Sequence, residues 1–339
     1  MMEMEEIVDE SFWKDRRILI TGINGFVGSH LSELLIKLGA KLYGFVRRHA
    51  VPYFPNINAL LENGNVDLTH GNLLDLPSIL QVIRDKEPEI VFHLGAQSFV
   101  PTSVSSPIES YNHNIIGTAN VLEAIRLSES VEKMQFAGSS EEYGLVLEDE
   151  VPIKETNPLR PLSPYAVSKV AGDLMCFTHY KNYNIPVVRT RAFNHTGPRR
   201  GSQFVLSQIS NSVASGKVNG ASEMVLGNLE PVRDFTDVRD TIRGYMLAIE
   251  KGTPGDVYNF GSGKGYSIGE IAEMAIEKGG LSGKMKIVQD PKRYRKADVM
   301  VLICDATKAR EELGWTNQIP IEKTIEDIIE YHVARTKRA

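Results

Sequence analysis

The amino-acid sequence predicts an α/β fold, a doubly wound parallel sheet with a smaller C-terminal substrate-binding lobe. Three observations predict it. Short apolar runs alternate with longer amphipathic segments through the first two-thirds of the chain, the pattern of β-α-β units. A glycine-rich turn, Gly22-Ile-Asn-Gly25-Phe-Val-Gly28, joins the first apolar run to the first amphipathic segment. After about Asn194 the texture changes to loops and short elements rich in Gly, Asn, Arg and Asp, such as Gly227–Asp240 and Gly261–Ser267.

Taken in order, strands are expected at Arg17–Thr21, Lys41–Val46, Val66–Thr69, Ile90–Leu94, Met134–Gly138 and Val187–Arg191. Helices fill the intervals. Val27–Leu38 carries apolar Val27, Leu31, Leu34 and Leu35, Pro77–Lys86 precedes the fourth strand, and Ile108–Leu127 and Pro164–Tyr183 are the longest. Val257–Phe260 is placed to return a strand to the main sheet, and Ile321–Ala334 reads as a closing amphipathic helix. Residues 16–193 are thus expected to build mainly the sheet domain and 194–335 mainly the lobe, with about 237–262 returning to the sheet.

Composition narrows the class of function. In 339 residues, 42% apolar side chains can fill a core, and 43 acidic against 38 basic residues leave a formal charge of -5. That balance speaks against nucleic acid as a partner, since phosphate-backbone binding normally leaves a basic excess. Cys176 and Cys304 have no second thiol at metal-like or redox-like spacing and read as buried small apolar side chains. Acidic Met1–Glu10 lacks the flank and apolar stretch of a signal peptide, and no window reaches the roughly 18 apolar residues of a membrane span. A cytoplasmic protein without a membrane partner is expected. His195 stands without clustered ligands, so no metal is expected.

The glycine turn lies between a strand and an amphipathic helix, where only glycine lets the backbone lie against a pyrophosphate facing the helix N-terminus. A Rossmann-type dinucleotide site follows from it. At the end of the second strand, where an acidic residue would bind a ribose 2′-hydroxyl, this chain has Arg47 and Arg48. Guanidinium groups suit a 2′-phosphate, so NADP is favoured and NAD is the alternative. Asn72 and Leu73 are placed to frame the adenine, with Asp75 either beside them or capping the next helix.

The catalytic signal is Ser163-Pro-Tyr165-Ala-Val-Ser-Lys169, whose spacing of four puts Tyr165 and Lys169 on one helix face. A nearby ammonium and the positive nicotinamide ring are both expected to lower the tyrosine toward a working range. Ser139, at the end of the fifth strand, would face the same cleft and donate to a substrate oxygen. Glu141, two residues on, would supply a second acid or base, which simple dehydrogenation does not need. Its bland alternative is a solvated loop carboxylate.

At these residues the chain resembles the extended short-chain dehydrogenase/reductase superfamily over essentially residues 16–335, and within it the GDP-mannose 4,6-dehydratases. The matching motifs are Ala96-Gln97-Ser98, Ser139-Ser140-Glu141, Ser163–Lys169, Phe193-Asn194-His195 and Pro198-Arg199-Arg200-Gly201. The resemblance implies that Tyr165 deprotonates the sugar C4 hydroxyl while NADP takes the hydride. Glu141 would remove the C5 proton and assist loss of the C6 hydroxyl as water, and hydride would return to C6. It also implies that Asn194, Arg233 and Arg295 face GDP and that Asp298 touches guanine or its ribose. With the motifs taken together, the cofactor set is Gly22, Asn24, Gly25, Phe26, Val27, Gly28, Arg47, Arg48, Asn72, Leu73, Leu94, Ala96, Tyr165, Lys169 and His195. Ser98, Ser139, Glu141, Asn194, Arg233, Arg295 and Asp298 form the substrate set.

The pattern has departures. Ser139 stands where many dehydratases have threonine, and Lys296-Ala297-Asp298 replaces a Pro-x-Glu after Arg295. The blocks Ser139-Ser-Glu-Glu-Tyr143 and Arg233-Asp-Phe-Thr-Asp237 also resemble GDP-4-keto-6-deoxy-mannose reductase, which reduces C4 without dehydration. A nucleotide-sugar 4-epimerase and a non-catalytic nucleotide sensor are the remaining alternatives; neither needs Glu141, and a sensor needs no Tyr–Lys pair. Arg199 and Arg200 read either as ligands of a cofactor phosphate, across a subunit contact if so arranged, or as a solvated turn. The helices Ile108–Leu127 and Pro164–Tyr183 are long enough to pair with copies of themselves, so a homodimer or homotetramer is expected.

Overall fold

The computed structural model describes residues 8–48, 50, 53–294 and 299–337. Six parallel strands, β1 (Arg17–Thr21), β2 (Lys41–Arg47), β3 (Val66–Gly71), β4 (Ile90–His93), β5 (Lys133–Ala137) and β6 (Val187–Ala192), are joined by a seventh, Val257–Phe260. Their order is Val257–Phe260, β6, β5, β4, β1, β2, β3, so the chain reverses direction across the sheet between β1 and β4. A crevice opens beyond the strand ends at such a reversal.

Both faces of the sheet are covered, which is why the central strands read as unbroken apolar runs. Alternate residues of β1 serve the two faces. Ile18 and Ile20 join the core that also holds Leu31, Leu35 and Phe92, whereas Leu19 packs with Ile79, Val91, Leu122, Phe136 and Cys176 on the other side. Cys176 and Cys304 are both buried, as are Trp13 and Trp315. Trp315 donates its indole N–H to the Asp240 carbonyl at 2.9 Å.

The first strand stands at Arg17–Thr21 as expected, and the ends of the other five fall within two residues of the expected ones. Val257–Phe260 does return to the sheet and pairs in parallel with β6, Phe260 opposite Ala192. The expected helix Ile108–Leu127 is not uniform. It runs as Pro107–Tyr111, a π-helical turn Asn112–Ile116, and Gly117–Arg126. The wide turn contains the buried Asn114, whose side chain bonds both backbone groups of Gln97 and the Ser168 hydroxyl, contacts that periodicity does not encode.

The C-terminal part holds its own apolar cluster, with Leu206, Ile209, Val213, Met224, Ile271, Ala275, Ile325 and Ile328. Above it lie two small sheets. One is built on Val232–Asp237, flanked by Gly265–Ser267 and Val301–Leu302 and paired with Asn194–Thr196; the other joins Glu223–Leu226 to Lys286–Gln289. Among the described residues no helix is long and apolar enough to cross a membrane, and no group of three or more His, Cys, Asp or Glu could hold a metal ion.

Candidate active site

A cleft of about 650 Å³ opens at the strand ends, between the glycine-rich loop on one side and the small sheets on the other. The loop is shaped by close backbone approach. Gly22 has φ +72°, and a Cβ at Gly28 would sit 2.5 Å from the Gly22 carbonyl oxygen and 2.8 Å from Ile23 Cα. Gly25 occupies the N-cap of the Phe26–Lys37 helix and brings no side chain to its first N–H groups. Those groups and the helix dipole make an anion site there, and Asn24, Phe26 and Val27 line the cleft beside it.

Of the two arginines after β2, Arg47 lines the cleft, whereas Arg48 does not: its Nε lies 3.4 Å from the His70 carbonyl. Asn72 and Leu73 line the cleft as expected and are held by local bonds. Asn72 Oδ1 accepts the Leu74 N–H at 3.0 Å, and Asn120 donates to the Leu73 carbonyl at 2.8 Å. Asp75 sits at the N-cap of the next helix, but its side chain makes no capping bond; its carbonyl accepts from Ser78 instead. Leu94, Ala96 and Ser98 follow β4 into the cleft, fixed by the Asn114–Gln97 pair.

Tyr165 enters on the first turn of the Pro164–Tyr183 helix. Ser163 caps that turn by accepting the Ala166 N–H at 3.1 Å, and Pro164 suits the N1 position. Lys169 follows one turn later and donates to the Ala137 carbonyl at 2.7 Å. Burial pushes the Tyr165 hydroxyl up to about 12, with the hydrogen bond to Ser139 and the Arg200 charge opposing and Glu141 adding to the rise. In the chain alone, desolvation thus outweighs the Ser139 hydrogen bond and the Arg200 charge that favour the phenolate. Burial likewise holds Lys169 down to about 8, with Glu142 acting in the opposite sense. Ser139 and Glu141 line the same wall of the cleft, and the Ser139 hydroxyl accepts the Glu141 N–H at 3.2 Å.

Across the cleft stand Asn194, His195 and Arg233. Asn194 Oδ1 is buried and has no hydrogen-bond partner among the described residues, so it is set to receive a ligand donor. His195 lies parallel to Phe26 at 6.2 Å and meets the Phe193 carbonyl at 3.0 Å; burial holds it down to about 3, so it is a neutral ring. Arg233 is buried beside the Val232 carbonyl. His93, by contrast, is a packing residue between Thr21 and Thr118.

Arg199 and Arg200 are not a solvated turn. Arg199 makes a two-pronged ion pair with Glu33 and meets His30 at 2.7 Å. Arg200 lies 3.6 Å over the Phe204 ring and 5.0 Å from that of Phe26, and among the described residues no carboxylate pairs with it. Arg295 and Asp298 lie outside the described residues. Sequence reasoning missed Phe204, Gln208, Asn228 and Arg293, which also line the cleft. Phe204 and Gln208 stand four apart at the start of the Val205–Asn219 helix, and Asn228 and Arg293 come from two further segments, so only the short Gly227-Asn228 turn offered a local signal.

The sequence matches the family described as GDP-mannose 4,6 dehydratase over residues 19–328. It is 30% identical over 345 residues to the GDP-mannose 4,6-dehydratase of Vibrio cholerae serotype O1, covering 92% of each chain. Among solved structures it is similar to RMD from Pseudomonas aeruginosa complexed with NADPH, with TM-score 0.80, 27% identity and coverage of 94% of this chain and 99% of that one. It is also similar to UDP-glucose 4-epimerase from Thermus thermophilus in complex with NAD, with TM-score 0.82, 28% identity and coverage of 93% and 98%. A match that runs from β1 into the closing helix, around a cleft that holds the Tyr165–Lys169 pair, makes the chain a member of the GDP-mannose 4,6-dehydratase family within the NAD-dependent epimerase/dehydratase superfamily.

Proposed function

We propose that the chain converts GDP-mannose to GDP-4-keto-6-deoxy-mannose and water, with no net redox change. The observation that carries this reading is a carboxylate, Glu141, on the same cleft wall as Ser139, Tyr165 and Lys169. Tyr165 takes the proton of the C4 hydroxyl, with Ser139 holding that oxygen and Lys169 supplying positive charge beside the phenol. A nicotinamide dinucleotide bound at Gly22–Gly28 supplies the hydride acceptor and, when oxidised, a positive ring that favours the Tyr165 phenolate. A ketone at C4 acidifies C5, so Glu141 can remove the C5 proton and pass a proton to the departing C6 hydroxyl. Atoms balance: water leaves, the hydride taken from C4 is returned to C6, and the proton held by Tyr165 is returned to C5.

NADP rather than NAD is our reading of Arg47 and Arg48, whose guanidinium groups suit a 2′-phosphate. Asn194 and Arg233 would face the GDP diphosphate, which makes residues 194–335 mainly the nucleotide-sugar lobe and 16–193 mainly the cofactor domain, with about 237–262 returning. A cytoplasmic homodimer or homotetramer belongs to the same reading. It is supported by exposed Ile108, Ile116, Val167, Leu174 and Phe177 on the two long helical segments, and light scattering of the purified chain tests it. The reaction itself is tested by incubating the protein with GDP-mannose, with and without added NADPH, and weighing the products. Loss of water without added NADPH supports the proposal; unchanged GDP-mannose defeats it.

A further inference from the structure

Glu141 faces the cleft, but Glu142 turns away from it and is fully buried. Its Oε1 accepts the backbone N–H of Ser139 at 2.8 Å, and its Oε2 lies 3.1 Å from Arg191 Nε. The single hydrogen on that Nε is donated to Asp173 Oδ2 at 3.1 Å, so Glu142 Oε2 has an ion contact yet no hydrogen bond among the described residues. Asp173 also accepts from Arg191 Nη2 at 3.1 Å and from Arg189 Nη1 at 2.6 Å, while Arg191 Nη1 donates to the Tyr143 hydroxyl at 3.1 Å. Asp173 stands one turn beyond Lys169 on the same helix. Charged contacts therefore run without a break from the Ser139 backbone through Glu142, Arg191 and Asp173 to the helix that carries Tyr165 and Lys169.

The backbone is built to admit this carboxylate. A Cβ at Gly138 would lie 2.6 Å from Glu142 Oε1, and Gly138 separates Ala137, which accepts the Lys169 ammonium, from Ser139. Three cations (Arg189, Arg191, Lys169) face two carboxylates (Asp173, Glu142), so the cluster carries one net positive charge with Glu142 ionised and two with it protonated. Burial and Asp173 push Glu142 above the ordinary carboxylate range, and Arg191, the Ser139 N–H and Lys169 oppose that rise. In return, Glu142 favours the Lys169 ammonium and also acts to raise Tyr165. A purely structural role would be met at less cost by an apolar side chain, since burying an ion pair seldom stabilises a fold more than good packing does.

We propose that Glu142 is a positioning residue for the reaction: by accepting the Ser139 N–H while its other oxygen meets Arg191, it fixes the Ser139 backbone at the cleft against the helix that carries Tyr165 and Lys169. This rests on the reading of Ser139, Tyr165 and Lys169 as the catalytic set. E142A and E142Q test it together, because the amide can still accept the Ser139 N–H and the methyl group cannot. The kcat of E142A should fall by about ten- to a hundred-fold with KM little changed, and E142Q should recover most of that loss. Equal loss in the two variants, or activity lost only in proportion to the folded fraction, overturns the proposal.

If E142A does not fold, E142D carries the test, since it keeps the carboxylate and loses the reach to the Ser139 N–H. Its kcat should fall by about ten- to a hundred-fold in the wild-type background and hardly at all in S139A. Equal losses in both backgrounds overturn the proposal. Y165F and S139A assayed alongside separate the two readings. Full activity in either removes the catalytic set, whereas their inactivity with equal losses in E142A and E142Q removes only the role of Glu142.

Discussion

Lys169 holds its ammonium 2.7 Å from the carbonyl oxygen of Ala137, the last residue of β5. One hydrogen bond thus ties the helix bearing Tyr165 to the strand end that leads into Ser139. The same bond buries a charge, and the cost is visible in Lys169 being held down to about 8 from 10.5.

That cost has a sign. Between about 8 and 10.5 the unfolded chain binds more protons than the folded one, so the penalty is full below pH 8 and is lifted as pH rises toward 10.5. Its size is about 3 kcal/mol, against about 1–3 kcal/mol for leaving the Ala137 carbonyl without its donor. Lys169→Met should therefore be no less stable than wild type at pH 7, and wild type should gain on it as pH rises past 8. Urea titrations across this range measure the difference. A gap that does not change with pH would show that the lysine pays no charge penalty in the fold.

Tyr165→Phe deletes one hydroxyl and leaves the ring in its buried site, so dinucleotide binding should stay within a few-fold of wild type while turnover is lost. The loss should be at least about 10²-fold, the range of acid–base catalysis. Fluorescence titration with NADPH and product analysis give the two numbers. Activity within a few-fold of wild type would remove Tyr165 from the mechanism.

Replacing Arg47 and Arg48 together by alanine should weaken NADP far more than NAD. Arg47 lines the cleft and Arg48 does not, so Arg47→Ala alone should account for most of the loss. Each charge-assisted bond to a phosphate contributes about 1.5–3 kcal/mol, or roughly ten- to a hundred-fold in affinity. Equal weakening of both dinucleotides would mean that neither arginine reads the 2′-phosphate.

What the sequence made legible was whatever is local in the chain. The strand–glycine–helix unit at Arg17–Lys37 and the Tyr165–Lys169 spacing are encoded within one or two turns of backbone, and both stand where periodicity put them. The π turn at Asn112–Ile116 escaped, because its partners Gln97 and Ser168 are distant in sequence. The raised hydroxyl of Tyr165 escaped for a related reason: desolvation is a property of the assembled cleft, whereas the neighbouring lysine is plain in the sequence. Arg199 was ambiguous in the chain and is not in the fold, since its partner Glu33 lies on the helix after the glycine turn.

The two family readings separate at Glu141. Under the dehydratase reading, Glu141→Gln keeps size and hydrogen bonding but loses the base, so C5 proton removal should fall by roughly 10²–10⁴-fold. Oxidation at C4 depends on Tyr165 and should survive. With NADP and GDP-mannose the variant should therefore accumulate the absorbance of reduced nicotinamide without losing water, and in heavy water it should exchange little deuterium into C5. Under the reductase reading Glu141 only shapes the turn after Ser139, and its replacement changes little. Wild-type protein would then leave GDP-mannose untouched while consuming NADPH on the 4-keto-6-deoxy sugar. Rapid reduction of that ketone by a protein that never dehydrates GDP-mannose would overturn the dehydratase assignment and leave the Tyr165–Lys169 chemistry intact, because both reactions move the same C4 proton.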